Sequence, residues 1–286
     1  GFMLLKGDGV QKDEELASEY FKKSADQGDS EGQTNYAKML CENANDIQQA
    51  IDYFEKAADN GSIDALIALS SLYLKGKGVT TNFEKARQYA KRAADTNDPK
   101  GHMAYGYFLE QIKDFGKAFE EYQTAANAGE VTSMGNIARL YQFGLGCKVD
   151  LKNAMKYFKM AADKGDPNSA NSYAFLLQKG QAGPPNPDEI VKYYQIAVKA
   201  NHTVAMNNLG ILYLKGGAGV KQNTDEAIKL FKQAAESGNL TGYLNIGVIY
   251  EKGIGKPQNI DMAKKFYQLA ADKGDPFAMK LLQKYK

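Results

Sequence analysis

Four sets of residues in this chain have types and spacings that could do chemistry. Gly28–Gly32 reads GDSEG, the G-x-S-x-G pattern in which a serine on a strand-to-helix elbow attacks an acyl carbon. Leu209–Gln222 reads LGILYLKGGAGVKQ and is followed by TDEAIKLFKQAAES. An apolar run, a glycine loop and a helix, in that order, could cradle a phosphate at a helix N-terminus. His102 and His202 are metal-ligand types. Asp59, Asp163 and Asp272 recur two residues ahead of a glycine, and Cys41 and Cys147 are the two thiols.

None of these completes a constellation. No strand precedes Ser30, which the nucleophile elbow requires; Ser30 reads instead as a serine capping a helix start. No Gly-Lys-Ser/Thr follows the glycines of Leu209–Gln222, so the phosphate-binding lysine and magnesium ligand are missing. The histidines lack an H-x-x-x-H spacing and read as solvated surface residues near helix starts. The aspartates read as helix-end residues, and no paired carboxylates emerge. Neither cysteine belongs to a CxxC, so no disulfide framework or zinc site is expected. The reading is of a protein with no catalytic residues, no metal and no cofactor.

Charge narrows the partners. With 36 basic and 34 acidic residues the net charge is +2, so no global field favours nucleic acid or an anionic membrane. The longest strongly apolar run, Ala65–Leu74, is too short to span a bilayer, so direct membrane insertion is not expected. Reduced thiols suggest a cytoplasmic setting. Sequons at Asn60, Asn201 and Asn239 would matter only under the alternative, a secretory or periplasmic compartment.

The elements that position all these residues are repeats. A motif close to A-x-x-Y-F-x-x-A-A-D-x-G recurs eight times, as in QAIDYFEKAADNG and NAMKYFKMAADKG. It closes at Gly28, Gly61, Asn97, Gly129, Gly165, Asn201, Gly238 and Gly274. Only glycine and asparagine stand there, the residues that tolerate the left-handed conformation ending a helix. The apolar spacing i, i+3, i+4, i+7 before each makes it the end of an amphipathic helix B. A second helix, A, follows. Counting the closing residue as zero, position 4 is always small (Gly32, Ala65, Gly101, Ser133, Ser169, Ala205, Gly242, Ala278). Position 8 is large and apolar (Tyr36, Leu69, Tyr105, Ile137, Tyr173, Leu209, Ile246, Leu282). A helix pair with one apolar face on each helix buries them only by stacking on its neighbours. The expected fold is all-α: a right-handed α-solenoid of stacked antiparallel helix pairs, about eight repeats in one domain over residues 1–286, with no sheet.

An A-helix ending followed by K-G-x-G-V, a charged loop and the B-helix motif resembles the Sel1-like repeat family, relatives of the tetratricopeptide repeat, over essentially the whole chain. Two units lack the glycine loop, after Cys41 and after Gln111, and the unit after Lys179 carries GQAGPPNPDE. GFMLLKG at the start aligns with Gly210–Gly216, so the chain is expected to begin halfway along an A helix, as part of a longer or processed protein. The polar QKYK suits the end of a stack. The glycines of Leu209–Gln222 have counterparts in Gly7/Gly9, Gly76/Gly78, Gly144/Gly146 and Gly253/Gly255, which makes them a turn between helices.

The resemblance implies that A helices line a concave side. Positions 7 and 10 would then face a groove: Asn35, Asn136, Ser172, Asn208 and Asn245 at the first, and Lys38, Tyr107, Arg139, Phe175, Ile211 and Val248 at the second. Asparagine is a poor interior helix residue, so its recurrence asks for a reason. A ladder of amides can pair with the backbone of an extended peptide while the aromatics take its side chains. The same amides could instead bond the adjacent helix. Lysines at position 14 (Lys75, Lys179, Lys215, Lys252) add a basic row. The sequence thus reads as a non-catalytic interaction scaffold for a protein or peptide partner. Alternatives are a regulatory or targeting module of a larger protein, and a hydrolase or β-lactam-binding protein. The β-lactam-binding branch of the resembled family is cysteine-rich, and this chain has two cysteines.

Overall fold

The computed structural model describes residues 1–42, 46–181 and 183–285. Among these residues the regular structure is helical, with no strand. In chain order the helices are α1 (Phe2–Lys6), α2 (Glu14–Asp26), α3 (Ser30–Leu40), α4 (Ile47–Asp59), α5 (Ile63–Lys75) and α6 (Phe83–Ala94). They continue as α7 (Pro99–Gln111), α8 (Phe115–Asn127), α9 (Val131–Phe143), α10 (Leu151–Asp163), α11 (Pro167–Gln178) and α12 (Pro187–Lys199). The last are α13 (Thr203–Lys215), α14 (Thr224–Glu236), α15 (Thr241–Lys252), α16 (Ile260–Asp272) and α17 (Pro276–Leu282), followed by a 3-10 turn, Gln283–Tyr285. Odd numbers are A helices and even numbers B helices. They form two compact units: Gly1–Ser133 with Gly144–Lys148, and Met134–Phe143 with Val149–Lys286.

The B-to-A turn is two caps in succession. Gly61 stands at φ +86°, and its N–H donates to the Ala58 carbonyl at 3.1 Å. The Ser62 N–H reaches back to Ala57 at 2.9 Å, so the last carbonyls of α4 are satisfied. Ser62 then opens α5, its hydroxyl accepting the Ala65 N–H at 3.2 Å. Asn97 and Asn201 hold the same left-handed place at φ +59° and +58°. At the GDSEG stretch the cap is Asp29, not Ser30: the Asp29 carboxylate accepts the Gly32 N–H at 2.7 Å, and Ser30 is the first helical residue. An ionised side chain is the stronger acceptor there, and the serine reading is corrected accordingly.

Position 4 is small because the A helix lies on the backbone of the preceding B helix. A Cβ built on Gly101 would stand 2.0 Å from the Ala93 carbonyl oxygen, and one on Gly242 2.0 Å from that of Phe231. Position 8 fills the layer at Leu69, Ile137, Leu209 and Ile246, all 2% exposed or less. Tyr105 and Leu282 depart from this and are half-buried. Position 9 was not singled out in the sequence, yet it admits the aromatic ring of helix B. Gly106, Gly210 and Gly247 lie against the rings of Tyr122, Phe231 and Tyr267. These rings are fully buried, and each contributes on the order of 2–3 kcal/mol by leaving water. In the first unit Ala17, Phe21, Ala25 and Tyr36 form one such cluster; in the second, Phe231, Tyr243, Ile246 and Ile249 do.

The glycine loops are turns. The Gly76 N–H donates to Leu72 at 2.9 Å, and the Asn82 N–H returns to Tyr73 at 2.8 Å; Asn223 to Tyr213 and Asn259 to Tyr250 repeat that bond at 2.8 Å. Their second glycine gives close approach: a Cβ on Gly146 would fall 2.2 Å from the Phe115 carbonyl oxygen at the start of the preceding B helix. In the GGAG loop the left-handed residues are Gly216, Ala218 and Gly219. The short loop after Cys41 and the proline loop after Lys179 fall partly on residues 43–45 and 182, outside the described residues.

Candidate functional site

The chemistry-bearing residues serve as braces. His102 is not solvated: its Nδ1 lies 2.6 Å from Glu121 Oε2, and the two side chains are only 16% and 24% exposed, joining α7 to α8. His202 caps α13, its Nδ1 accepting the Ala205 N–H at 3.0 Å, with Nε2 3.1 Å from Asn168 Oδ1. The surface reading of both histidines is therefore replaced. A neutral imidazole with the proton on Nε2 satisfies both contacts of His202.

Asp59 and Asp163 of the repeat motif accept from the following B helix, whereas Asp272, in the last B helix, accepts from Gln268 one turn earlier at 2.6 Å. Asp59 takes Arg92 at 3.1 Å, and Asp163 takes the Tyr193 hydroxyl at 2.6 Å. Asp26 takes the Tyr53 hydroxyl at 2.9 Å; burial and that carboxylate push the Tyr53 phenol up to about 12. Lys159 joins the Asp163–Tyr193 group through the Tyr193 hydroxyl. Among the described residues, no group of three or more His, Cys, Asp or Glu is arranged to hold a metal ion. No described helix is long and apolar enough to cross a membrane. Cys41 is half-buried, and burial pushes its thiol up.

A second brace went unread in the sequence. Within a repeat, a buried B-helix tyrosine donates to position 13 of its A helix: Tyr122 to Glu110 at 3.1 Å, Tyr194 to Gln178 at 2.8 Å and Tyr267 to Glu251 at 2.7 Å. Where the ring is Phe54 or Phe231, position 13 is Cys41 or Leu214, but Phe158 stands with Gln142, so the pairing of types is partial. A fully buried hydroxyl needs its acceptor, and this pairing of residue types was the available signal. Tyr285 also donates to Glu251, at 2.5 Å. The hydrogen bonds from Tyr285 and then Tyr267 hold the Glu251 carboxyl below the usual range.

The residues expected at positions 7 and 10 divide as follows. In the first unit Asn35 and Lys38 line a depression of about 480 Å³ with Thr34, Asp64 and Lys100. Lys38 pairs with Asp64 at 3.2 Å, and Lys100 approaches the same carboxylate at 3.7 Å. Tyr107 is 37% exposed, with the Lys75 ammonium 6.0 Å from its ring centre. In the second unit Asn136, Arg139 and Ser172 are half-buried. Phe175 is 40% exposed, with Lys179 at 5.4 Å. Asn208 donates to Asn171 Oδ1 at 2.9 Å and Asn245 to Asn207 Oδ1 at 3.5 Å, each reaching position 6 of the preceding A helix. Ile211 and Val248, half-buried, pack onto core clusters beneath them. Two of the asparagines therefore carry inter-repeat bonds.

Comparison with known proteins agrees with this register. The Sel1 repeat model matches residues 1–29, 30–62, 63–98, 101–130, 132–166, 167–202, 203–239 and 241–275. A Neisseria meningitidis serogroup B protein described as uncharacterized is 28% identical over 137 residues, 46% of this chain and 29% of its own length. Among solved structures, c5321, a protective antigen of uropathogenic Escherichia coli strains displaying an SLR fold, gives a TM-score of 0.68 at 24% identity. That match covers 97% of this chain and 61% of that one. Yeast Tom70 gives 0.56 at 15% identity over 93% of this chain and 56% of its own. The chain thus spans less than two thirds of these relatives. Repeats of this kind commonly mediate protein–protein interaction, and the family is generally non-catalytic. Stacked antiparallel helix pairs, closed by the same caps in the register of all eight matches, place the chain in the Sel1 repeat family.

Proposed function

We propose that this protein is a non-catalytic scaffold that captures a peptide or protein segment on the faces of its A helices. The observation that carries this reading is position 10. A core-facing register would bury its side chains, yet Tyr107 and Phe175 stand 37% and 40% exposed, each beside a lysine ammonium. Within the second unit, Ile211 and Val248 follow Phe175 at the same position as half-buried aliphatics. Exposed aromatic anchors on a rigid helical support are the usual centre of a binding patch. The asparagines contribute rigidity through the Asn208–Asn171 and Asn245–Asn207 bonds and present their remaining polar atoms beside that row.

Affinity capture with mass spectrometry tests this reading. Phe175→Ala and Tyr107→Ala are expected to lose partners that wild type retains, while Lys229→Ala, on helix B, retains them. Partner sets identical across all three variants refute capture on the A face.

A further inference from the structure

The A face of the second unit carries a row of charge that stands outside its ion pairs, Lys179 resting over the Phe175 ring. Lys179, Lys215 and Lys252 occupy position 14 of successive repeats, and all three are exposed. Among the described residues none of them is in an ion pair, whereas Lys159, Lys229, Lys232 and Lys256 of the same unit are. Glu251, next to Lys252 in sequence, is taken by Tyr267 and Tyr285. Parallel to the lysines runs the apolar row of Phe175, Ile211 and Val248, four residues earlier in α11, α13 and α15, with Lys179 capping the end of α11; the two rows lie about 6 Å apart along the helix axis.

The spacing of these rows selects the shape of what they hold. The A helices are in direct side-chain contact through Asn208–Asn171 and Asn245–Asn207, so like positions recur roughly every 8–10 Å. A β-strand returns a side chain to one face about every 6.7 Å. A polyproline II segment does so every third residue, about 9.3 Å, which matches. An α-helical ligand, about 10–12 Å across, is wider than the interval between the two rows. Resting on the A-face reading, we propose that this strip docks an extended acidic protein segment in the polyproline II conformation. Its carboxylates recur every third residue onto Lys179, Lys215 and Lys252, and its apolar side chains lie on Phe175, Ile211 and Val248.

Fluorescence anisotropy with synthetic peptides of about 12 residues tests the match, since about 37 Å of polyproline II chain more than spans the two intervals between the three lysines. The probes are a Glu-Pro-Leu repeat, the same residues with the glutamates in one block, and a Gln-Pro-Leu repeat. The in-register acidic peptide should bind roughly tenfold tighter than the Gln peptide, the product of three exposed ion pairs at about twofold each. It should also bind tighter than the blocked peptide and weaken with added salt. Lys215→Ala should cost about twofold for the acidic peptide and nothing for the Gln peptide. Equal affinity of the in-register and blocked peptides overturns the inference, as does tighter binding by a helical peptide with glutamate every seventh residue. A Gln peptide that binds as well as the acidic one and loses affinity in Phe175→Ala overturns the acidic segment but leaves A-face capture standing. No binding by any peptide overturns the inference, and unchanged partner sets in Phe175→Ala would then overturn the broader reading too.

Discussion

Replacing glycine by alanine within a helix ordinarily stabilises it by up to about 1 kcal/mol, because alanine loses less backbone freedom on folding. At Gly242 the sign should reverse. The new Cβ would stand 2.0 Å from the Phe231 carbonyl oxygen and 3.0 Å from the Ala235 nitrogen. Both are backbone atoms of α14, so no rotamer change relieves the clash. Ordinary carbon–oxygen contact needs more than a further 1 Å, and α15 must lift from α14, loosening Tyr243 and Ile246 in the shared cluster. Overpacking of this kind costs about 1–3 kcal/mol, and a backbone clash belongs at the upper end. Less the helix-propensity gain, the net loss is about 2 kcal/mol, or roughly thirtyfold in the unfolding equilibrium. Gly116 is the control: it is exposed in the first turn of α8, and its Cβ would meet nothing within 4 Å. Gly116→Ala should therefore stabilise by roughly 0.5 kcal/mol. Urea unfolding gives the overall change, and amide exchange in α14 and α15 shows where it falls. Gly242→Ala as stable as wild type would refute the close-approach account of position 4.

Glu251 should make stability depend on acid pH. Its folded carboxyl is lowered by hydrogen bonds from Tyr285 and Tyr267, so its contribution is fully present above the ordinary carboxylate value of about 4.3 and fades as pH falls through the lowered folded value. Urea midpoints across that window should fall more steeply for wild type than for Glu251→Gln, and parallel curves would contradict the clasp. Asn208→Ala should cost about 1 kcal/mol by removing the donor to Asn171. A thermal melt that does not move would mean the ladder bears no load and is free for a ligand.

What the sequence disclosed follows from what repeats. Each cap glycine, small position 4 and glycine loop has up to seven siblings, and register alone separates a turn such as Gly216–Gly219 from a phosphate cradle. Features that occur once, or that pair residues from different helices, were hidden. His102 gave no sign of Glu121, nineteen residues on and across a helix pair. His202 was unreadable as a cap because histidine is an unusual one, standing where aspartate or serine stands elsewhere. The asparagine ladder showed as a row at position 7, but its acceptors lie at position 6 of the preceding repeat, and a search down one column cannot find a bond between two. The glycines at position 9 make sense only beside the rings they admit.

The B-to-A turn has a consequence for how such a chain can change in length. Gly61 closes one helix and Ser62 opens the next, so no residue between α4 and α5 is free of capping duty. The B helices are equally fixed: fourteen residues separate Glu14 from Gly28, Ile47 from Gly61 and Ile260 from Gly274. Unequal repeat length therefore collects in the A-to-B loops, from the tight link between Gln111 and Phe115 to the longer one between Gln178 and Pro187. Insertions, deletions and grafted sequence have one edge of each repeat on which to accumulate, and the opposite edge keeps the metre.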